Sequence, residues 1–139
     1  MQIKNFEDLE IWREARRLTR EIYTISIAPK FSKDFGLRDQ MRRAVVSIMS
    51  NIAEGFERGG NQEFIQYLYI AKGSCGEARS QLYVALDQGY VDQKAIDNLL
   101  IALKRLSVMI KHLIDHLKRS GMRGPKYSNS NPSSHSETV

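Results

Sequence analysis

The chain has 139 residues, of which 42% are hydrophobic and 27% charged, and its formal net charge is +5 at pH 7. This composition is sufficient for one domain with a hydrophobic core and excludes a chain that is disordered throughout. The sequence has no run of about 18 apolar residues and no basic and then apolar leader, so we expect a cytoplasmic protein with no membrane partner. Cys75 is the single cysteine, which excludes an internal disulfide, and its apolar helical register predicts a core position.

The first predicted helix covers residues 6–27. Asn5 is a candidate N-cap, the first turn is acidic, and Pro29 follows the end of the helix. One line of apolar residues at helical spacing predicts the core face, namely Ile11, Ala15, Leu18, Ile22 and Ile25. Four arginines lie off this line and are expected on the surface: Arg13, Arg16, Arg17 and Arg20.

The second predicted helix, residues 37–54, carries three lines of side chains. The core line consists of Met41, Val45, Ile48 and Ile52. A polar line follows beside it through Gln40, Ala44, Ser47, Asn51 and Glu54. The third line places Val46, Met49 and Ala53 on what should be the solvent side. Nearly every side of the helix therefore carries residues that would pack against something, and a partner subunit is predicted. Gly55 is expected to end the helix in a left-handed conformation, and Arg58 begins a turn.

The third predicted helix starts from an Asn61 cap and stops at Gly89. Its core line shows unbroken helical spacing through Phe64, Leu68, Ala71, Cys75, Ala78, Leu82 and Ala85. Gly73 and Gly76 lie within one turn, although each glycine inside a helix costs about 1 kcal/mol relative to alanine. We expect the close approach of another helix to offset this cost, either inside the bundle or across a subunit contact, and helix flexibility is the alternative.

The fourth predicted helix follows an Asp92 cap and ends near residue 120. Its core line is Ile96, Leu99, Leu103, Leu106, Ile110, Leu113 and Leu117. Seven basic residues and one acidic residue lie between positions 104 and 126, and such a basic segment favours an acidic partner, nucleic acid foremost. A solvated helix face that keeps the protein soluble is the alternative interpretation.

Four long helices with short turns predict an antiparallel up-down four-helix bundle over residues 1–120. Residues 121–139 are rich in Ser, Asn, Pro and Gly without periodicity, which predicts a disordered tail. The sequence contains no P-loop, no dinucleotide fingerprint and no nucleophile elbow, so we expect no enzyme and no cofactor. His112 and His116 are one helical turn apart, but neither an HExxH motif nor a third ligand accompanies them, and no metal site is predicted.

A set of motifs spread over about residues 6–120 carries a resemblance to a known family. The residues of these motifs are Phe6, Leu9, Trp12, Gly36, Leu37, Gln40, Arg42, Arg43, Ser47, Asn51, Ile52, Ala53, Glu54, Gly55, Arg58, Ile70, Ala71, Gly73, Ser74 and Glu77. Together they resemble the family of small four-helix-bundle proteins encoded within intervening sequences of bacterial 23S ribosomal RNA genes. Wider relatives of this family include the accessory variability determinant proteins of diversity-generating retroelements. Met49 stands where the family usually has proline, which leaves open whether this helix is kinked.

The resemblance implies a barrel-like homopentamer with a basic surface, and its retroelement relatives bind nucleic acid and a reverse transcriptase. Sequence and resemblance together predict a non-enzymatic oligomeric scaffold for RNA or DNA, structured RNA first, with a reverse transcriptase partner left open. The phosphate-binding residues are expected to be Arg13, Arg16, Arg17, Arg20, Lys104, Arg105, Lys111, Lys118 and Arg119. Structural or oligomer roles are expected for Gln40, Ser47, Asn51, Glu54, Arg58 and Gly73.

Two alternatives belong to other classes of protein. A purely structural protein-interaction bundle would use the polar line and the glycines only for subunit contacts, and it predicts no salt-sensitive RNA binding. A ferritin-like metal enzyme would require Glu-x-x-His pairs that face the core, and the sequence has none in core register.

Overall fold

The computed structural model describes residues 3–121, which contain helices and no strand. A 3-10 turn, Phe6–Asp8, precedes helix α1 (Glu10–Ile25) and the short helix α2 (Pro29–Lys33). Three long helices follow: α3 (Phe35–Glu57), α4 (Asn61–Asp87) and α5 (Gln93–Gly121). None of these helices is long and apolar enough to cross a membrane. Gly121 belongs to α5, and the rest of the predicted disordered tail lies outside the described residues.

The four long helices form a bundle in which consecutive helices are neighbours. Helix α4 packs on α3 and on α5, while α1 lies against α3 and α5. Residues 58–60 join α3 to α4, and residues 88–92 join α4 to α5. Connections this short make neighbouring helices antiparallel. The predicted all-α bundle is thereby confirmed, with α2 as an added fifth helix.

The core is built from the apolar lines that the periodicity predicts. All the predicted core residues of α3, α4 and α5 are buried, and so are those of α1 as far as Ile22. Ile25 at the end of α1 is only partly buried. Each large aliphatic side chain removed from water stabilises the fold by about 1.5–3 kcal/mol before the loss of conformational entropy is counted.

The start of the first helix differs from its prediction. Leu9 has extended backbone angles, φ −75° and ψ 128°, so a 3-10 turn and α1 replace one continuous helix. The break lets Leu9 enter the core, where it is 1% exposed, and lets Phe6 contact Trp12 edge to face, with 5.0 Å between ring centroids. The N–H of Asn5 donates to Asp8 Oδ2 at 3.1 Å and fixes the turn.

Helix α2 occupies a segment that the sequence predicts to be a loop. Pro29 is at the first helical position, where its missing N–H costs nothing. Phe31 is fully buried and stacks on Tyr90, with 5.5 Å between the ring centroids. This contact between distant segments orders α2.

The turn between α3 and α4 also corrects the prediction for Gly55. Helix α3 continues past Gly55 to Glu57 and is uninterrupted at Met49. The left-handed residue is Gly59, with φ 86°. Gly55 is buried instead, and a Cβ placed on it would lie 2.6 Å from Cβ of Tyr67. Gly55 is therefore required by the close approach of α4.

Of the three predicted N-caps, Asn5 caps the 3-10 turn that replaces the start of the first helix, Asp92 is confirmed and Asn61 is wrong. Asp92 Oδ1 accepts from the N–H of Ala95 at 2.8 Å, as predicted. The N-cap of α4 is Gly60, and Asn61 is already inside the helix. Helix α3 begins two residues early because Asp34 Oδ1 accepts from the N–H of Leu37 at 3.1 Å.

Candidate nucleic-acid interface

The nine basic residues predicted to bind nucleic acid lie on α1 and α5, which are neighbours in the bundle. All nine are exposed except Lys111, which is partly buried. Arg105 and Arg119 of α5 lie on the side that faces α1, so cations more than 80 positions apart in the sequence border one seam. We call the set the α1–α5 basic surface: Arg13, Arg16, Arg17, Arg20, Lys104, Arg105, Lys111, Lys118 and Arg119.

On α5 the basic residues form two lines with a spacing of seven residues, two helical turns or about 10.5 Å. Lys104, Lys111 and Lys118 follow the side of α5 that faces α4, where Lys118 Nζ donates to the Tyr69 hydroxyl at 2.6 Å. Arg105, His112 and Arg119 follow the side that faces α1. Helix α5 thus carries one line of cations on the side toward α4 and another on the side toward α1.

The arginines of α1 differ in how firmly they are held. Arg17 forms ion pairs with Glu14, at 2.8 Å, and with Glu21. The hydrogen bond from Arg17 to Glu14 keeps the pKa of the Glu14 carboxyl below its ordinary value, and the charge of Arg105 across the seam adds to the effect. Arg16 lies over the ring of Trp12 at 5.8 Å. Arg13 donates to the backbone carbonyl of Glu7 at 3.1 Å.

The cations of α5 divide in the same way. Lys111 pairs with Asp115 at 2.6 Å, and this hydrogen bond raises the pKa of Lys111 and lowers that of Asp115. No ion pair within residues 3–121 involves Arg20 on α1 or, on α5, Lys104, Arg105 and Arg119. These four can bind a phosphate without breaking an existing pair.

Two clefts open along the seam between α1 and α5. The first, of about 360 Å³, is lined by Glu10, Ile11, Met109, His112, Leu113, His116 and Arg119. The second, of about 320 Å³, is lined by Arg17, Arg20, Glu21, Thr24, Ile25, Ala95, Asn98 and Leu99. The seam is thus a discontinuous groove bordered by basic side chains. Neither cleft is predicted by the sequence pattern of α1 or α5.

The polar line of α3 forms contacts inside one subunit. Ser47 Oγ is 3.0 Å from Ser74 Oγ on α4. The Asn51 amide donates to the backbone carbonyl of Ser47 at 2.8 Å and to its hydroxyl at 2.9 Å. These atoms link α3 to α4 halfway along both helices. Gln40, at the start of the line, is exposed.

The end of the same line forms a second cluster. Arg58 donates to Glu54 at 2.9 Å, and the Tyr67 hydroxyl donates to the same carboxylate at 3.1 Å. The Arg58 guanidinium also lies 5.3 Å from the centroid of the Tyr67 ring. Both hydrogen bonds, that of Arg58 first, lower the pKa of Glu54, whereas desolvation raises the pKa of Tyr67. The cluster joins the end of α3 to the start of α4.

Gly73 and Gly76 lie on the outside of the bundle. A Cβ on either residue would meet no other helix of residues 3–121 within 4 Å, so a close approach inside the bundle, one of the predicted explanations, is wrong. We call this side of the helix the α4 outer face: Tyr69, Ile70, Gly73, Gly76, Tyr83 and Val84, all of which are exposed.

No group of three or more His, Cys, Asp and Glu side chains in the described part of the chain could hold a metal ion. His112 and His116 both line the first cleft. Burial raises the pKa of the Cys75 thiol to about 12, so this cysteine stays protonated at neutral pH and is unreactive.

The fold and the basic helices together define a small α-helical bundle with a positively charged seam. The chain belongs to the 23S rRNA-intervening sequence protein family, whose family model matches residues 7–112. No curated protein matches the chain.

Proposed function

We propose that this protein is a non-enzymatic, oligomeric scaffold that binds nucleic acid, structured RNA in the first place, through the α1–α5 basic surface. The observation that carries the proposal is the convergence of cations from two distant segments on neighbouring helices. The name of the family, which refers to ribosomal RNA, supports an association with RNA. The resemblance of the family to retroelement accessory proteins adds a reverse transcriptase as a second proposed partner. A neighbouring reverse transcriptase gene with a template repeat would support this partner.

Binding through phosphates follows from the side chains on this surface. Arg20, Lys104 and Arg105 are donors only, with long flexible stems and no ion pair in residues 3–121. Such residues position RNA by its backbone and read little sequence. The logarithm of the binding constant should then fall with the logarithm of the salt concentration, with a slope of about −0.7 to −0.9 per contact.

The test is a binding titration with a structured RNA, such as the stem that flanks its own intervening sequence, at several salt concentrations. Arg20→Glu combined with Arg105→Glu should weaken binding to different RNAs alike and flatten the salt slope, without unfolding the bundle. Lys30→Glu combined with Lys33→Glu, on α2, is the matched control for net charge. Affinity that is insensitive to salt and to the α1–α5 reversals would overturn the proposal.

The oligomeric part of the proposal rests on the α4 outer face. Ile70 and Val84 are 52% and 44% exposed, two turns on either side of Glu77, and the two glycines between them would let another helix come close. The resemblance suggests five subunits. Light scattering should give a mass several times 16.0 kDa, and Gly73→Leu should lower it. A monomer at micromolar concentration would contradict this assembly.

A structural protein-interaction bundle is the second candidate function, and the same apolar face favours it. It shares the oligomer with the first proposal but not the RNA. Salt-insensitive or undetectable RNA binding by a protein of the expected oligomeric mass would leave it as the better explanation.

A further inference from the structure

We propose that the first cleft of the α1–α5 seam holds one unpaired nucleotide of a bound RNA. The base would lie on the apolar floor, and its phosphate would pair with Arg119. This inference rests on the proposed function, and it adds a preference for RNA with an unpaired base.

The shape of the cleft suits a ligand of this size. Its volume of about 360 Å³ falls in the range of about 300–1,000 Å³ that small-ligand sites occupy. Ile11 on one helix and Met109 and Leu113 on the other provide an apolar floor. His112 is exposed at the same cleft, and its ring is a flat surface on which a base can stack.

The polar groups of the cleft match the two ends of a nucleotide. Arg119 forms no ion pair within residues 3–121 and can bind a phosphate with two parallel hydrogen bonds. Nε2 of His116 is buried and has no hydrogen-bond partner in the same part of the chain. A buried polar nitrogen without a partner costs free energy, and a turn of the His116 ring toward the cleft that it lines would let a ligand atom pair with it.

Glu10 indicates which bases fit. A carboxylate only accepts hydrogen bonds, so it favours a base edge with donors, and the ring N–H and amino group of guanine form the best pair. The same negative charge repels a free phosphate, which is an anion at neutral pH. A metal ion is not supported, because the described residues provide no group of three ligands at this position.

The second cleft differs from the first in its histidines and in the pairing of its arginines, so it serves as the internal comparison. It contains no histidine, and Arg17 on its wall is already paired with Glu14 and Glu21. Arg20 is its cation without an ion pair in residues 3–121. Arg20→Gln removes one positive charge from the seam, as Arg119→Gln does, and leaves the first cleft unchanged.

The experiment compares three RNA hairpins: one fully paired, one with a single bulged guanosine and one with a single bulged uridine. The full-length protein should bind the guanosine bulge about ten-fold more tightly than the paired hairpin, the scale of one stacked base. Arg119→Gln should abolish this preference and keep most of the affinity for the paired hairpin, whereas Arg20→Gln should weaken binding to all three alike. Circular dichroism checks that both variants are folded.

A second measurement locates the nucleotide directly. The chain has three histidines, so with His135→Gln only His112 and His116 contribute imidazole signals to a proton NMR spectrum. Addition of the bulged hairpin should shift both signals, and the paired hairpin should shift them less. If every hairpin binds equally well and neither signal moves, the cleft proposal is wrong while the proposed function stands. If no hairpin binds at low salt, the proposed function fails and this inference fails with it.

Discussion

Gly55 lies where α3 and α4 pack too closely for a larger side chain. Gly55→Ala places a methyl group 2.6 Å from Cβ of Tyr67 and 3.0 Å from a ring carbon of Phe64, so the two helices must move apart. We expect the free energy of unfolding to fall by about 1–3 kcal/mol, as for other overpacked sites. Chemical denaturation measures this change.

The control for that variant is Gly36→Ala. Gly36 is exposed in the first turn of α3, and its added Cβ would meet only Asp34 Oδ1, at 3.9 Å. This variant should be as stable as the parent or more stable, because alanine favours the helix by about 1 kcal/mol. Equal losses at Gly55 and Gly36 would contradict the close-packing explanation.

Asn51 tests the structural role of the polar line. Asn51→Ala removes both hydrogen bonds to Ser47 and leaves the Ser47–Ser74 pair without its third member. The free energy of unfolding should fall by about 1–3 kcal/mol. Gln40→Ala, at the exposed start of the line, should have little effect. An Asn51 variant as stable as the parent would favour a binding role for this line instead.

The roles of these residues are only partly predictable from the sequence. The spacing of Ser47, Asn51 and Glu54 correctly placed them on one side of a helix, because helical periodicity is a local property. The role of Gly55 was predicted wrongly, as a helix stop. A glycine is required at position 55 because Tyr67 of α4 packs against it. Local sequence does not show which side chain will face a glycine across a packed interface.

At the scale of the helices, the predictions succeeded where one pattern dominates. Every residue of the predicted core lines of α3, α4 and α5 is buried, since each line repeats an apolar residue every three or four positions over many turns. Ala44, Ala102 and Ile114 are buried as well and lie outside those lines. The break at Leu9 and helix α2 were missed. Both depend on tertiary burial, of Leu9 in the core and of Phe31 against Tyr90, and short segments have no periodicity of their own.

The two clefts were missed for a similar reason. Glu10 and Arg119 are at opposite ends of the described chain, and only the packing of α1 against α5 brings them together. The spacing of seven residues along α5 is visible in the sequence and is the signal that predicts its two basic lines.

Removal of residues 122–139 should leave the fold and the assembly intact. The core line of α5 ends at Leu117, and Ser120, close to the end of the described residues, is still buried. The thermal unfolding midpoint and the light-scattering mass of the shortened protein should match those of the full chain. Loss of RNA affinity alone is compatible with this prediction, since Arg123 and Lys126 are removed as well. Failure to fold would show that the removed segment contributes to the bundle.

For the whole molecule, stability should fall as the pH falls into the acid range. The pKa values of Glu14 and Asp115 are lowered in the folded protein by their partners Arg17 and Lys111. A lowered folded pKa stabilises the protein above the unfolded value and loses that contribution as the pH falls through the folded value. Denaturation midpoints between pH 7 and pH 3 measure it. Arg17→Gln should weaken this dependence, and an unchanged profile would show that the pair contributes nothing.

The short connections at residues 58–60 and 88–92 have a consequence for the speed of folding. Because α3, α4 and α5 are each packed on their neighbour in the chain, most of the bundle forms from contacts that are close in sequence. Topologies of this kind fold in microseconds to milliseconds. Helix α1 also packs on α3, but its contact with α5 joins opposite ends of the chain. We expect the α3–α5 hairpins to form first and the seam with its two clefts to close last.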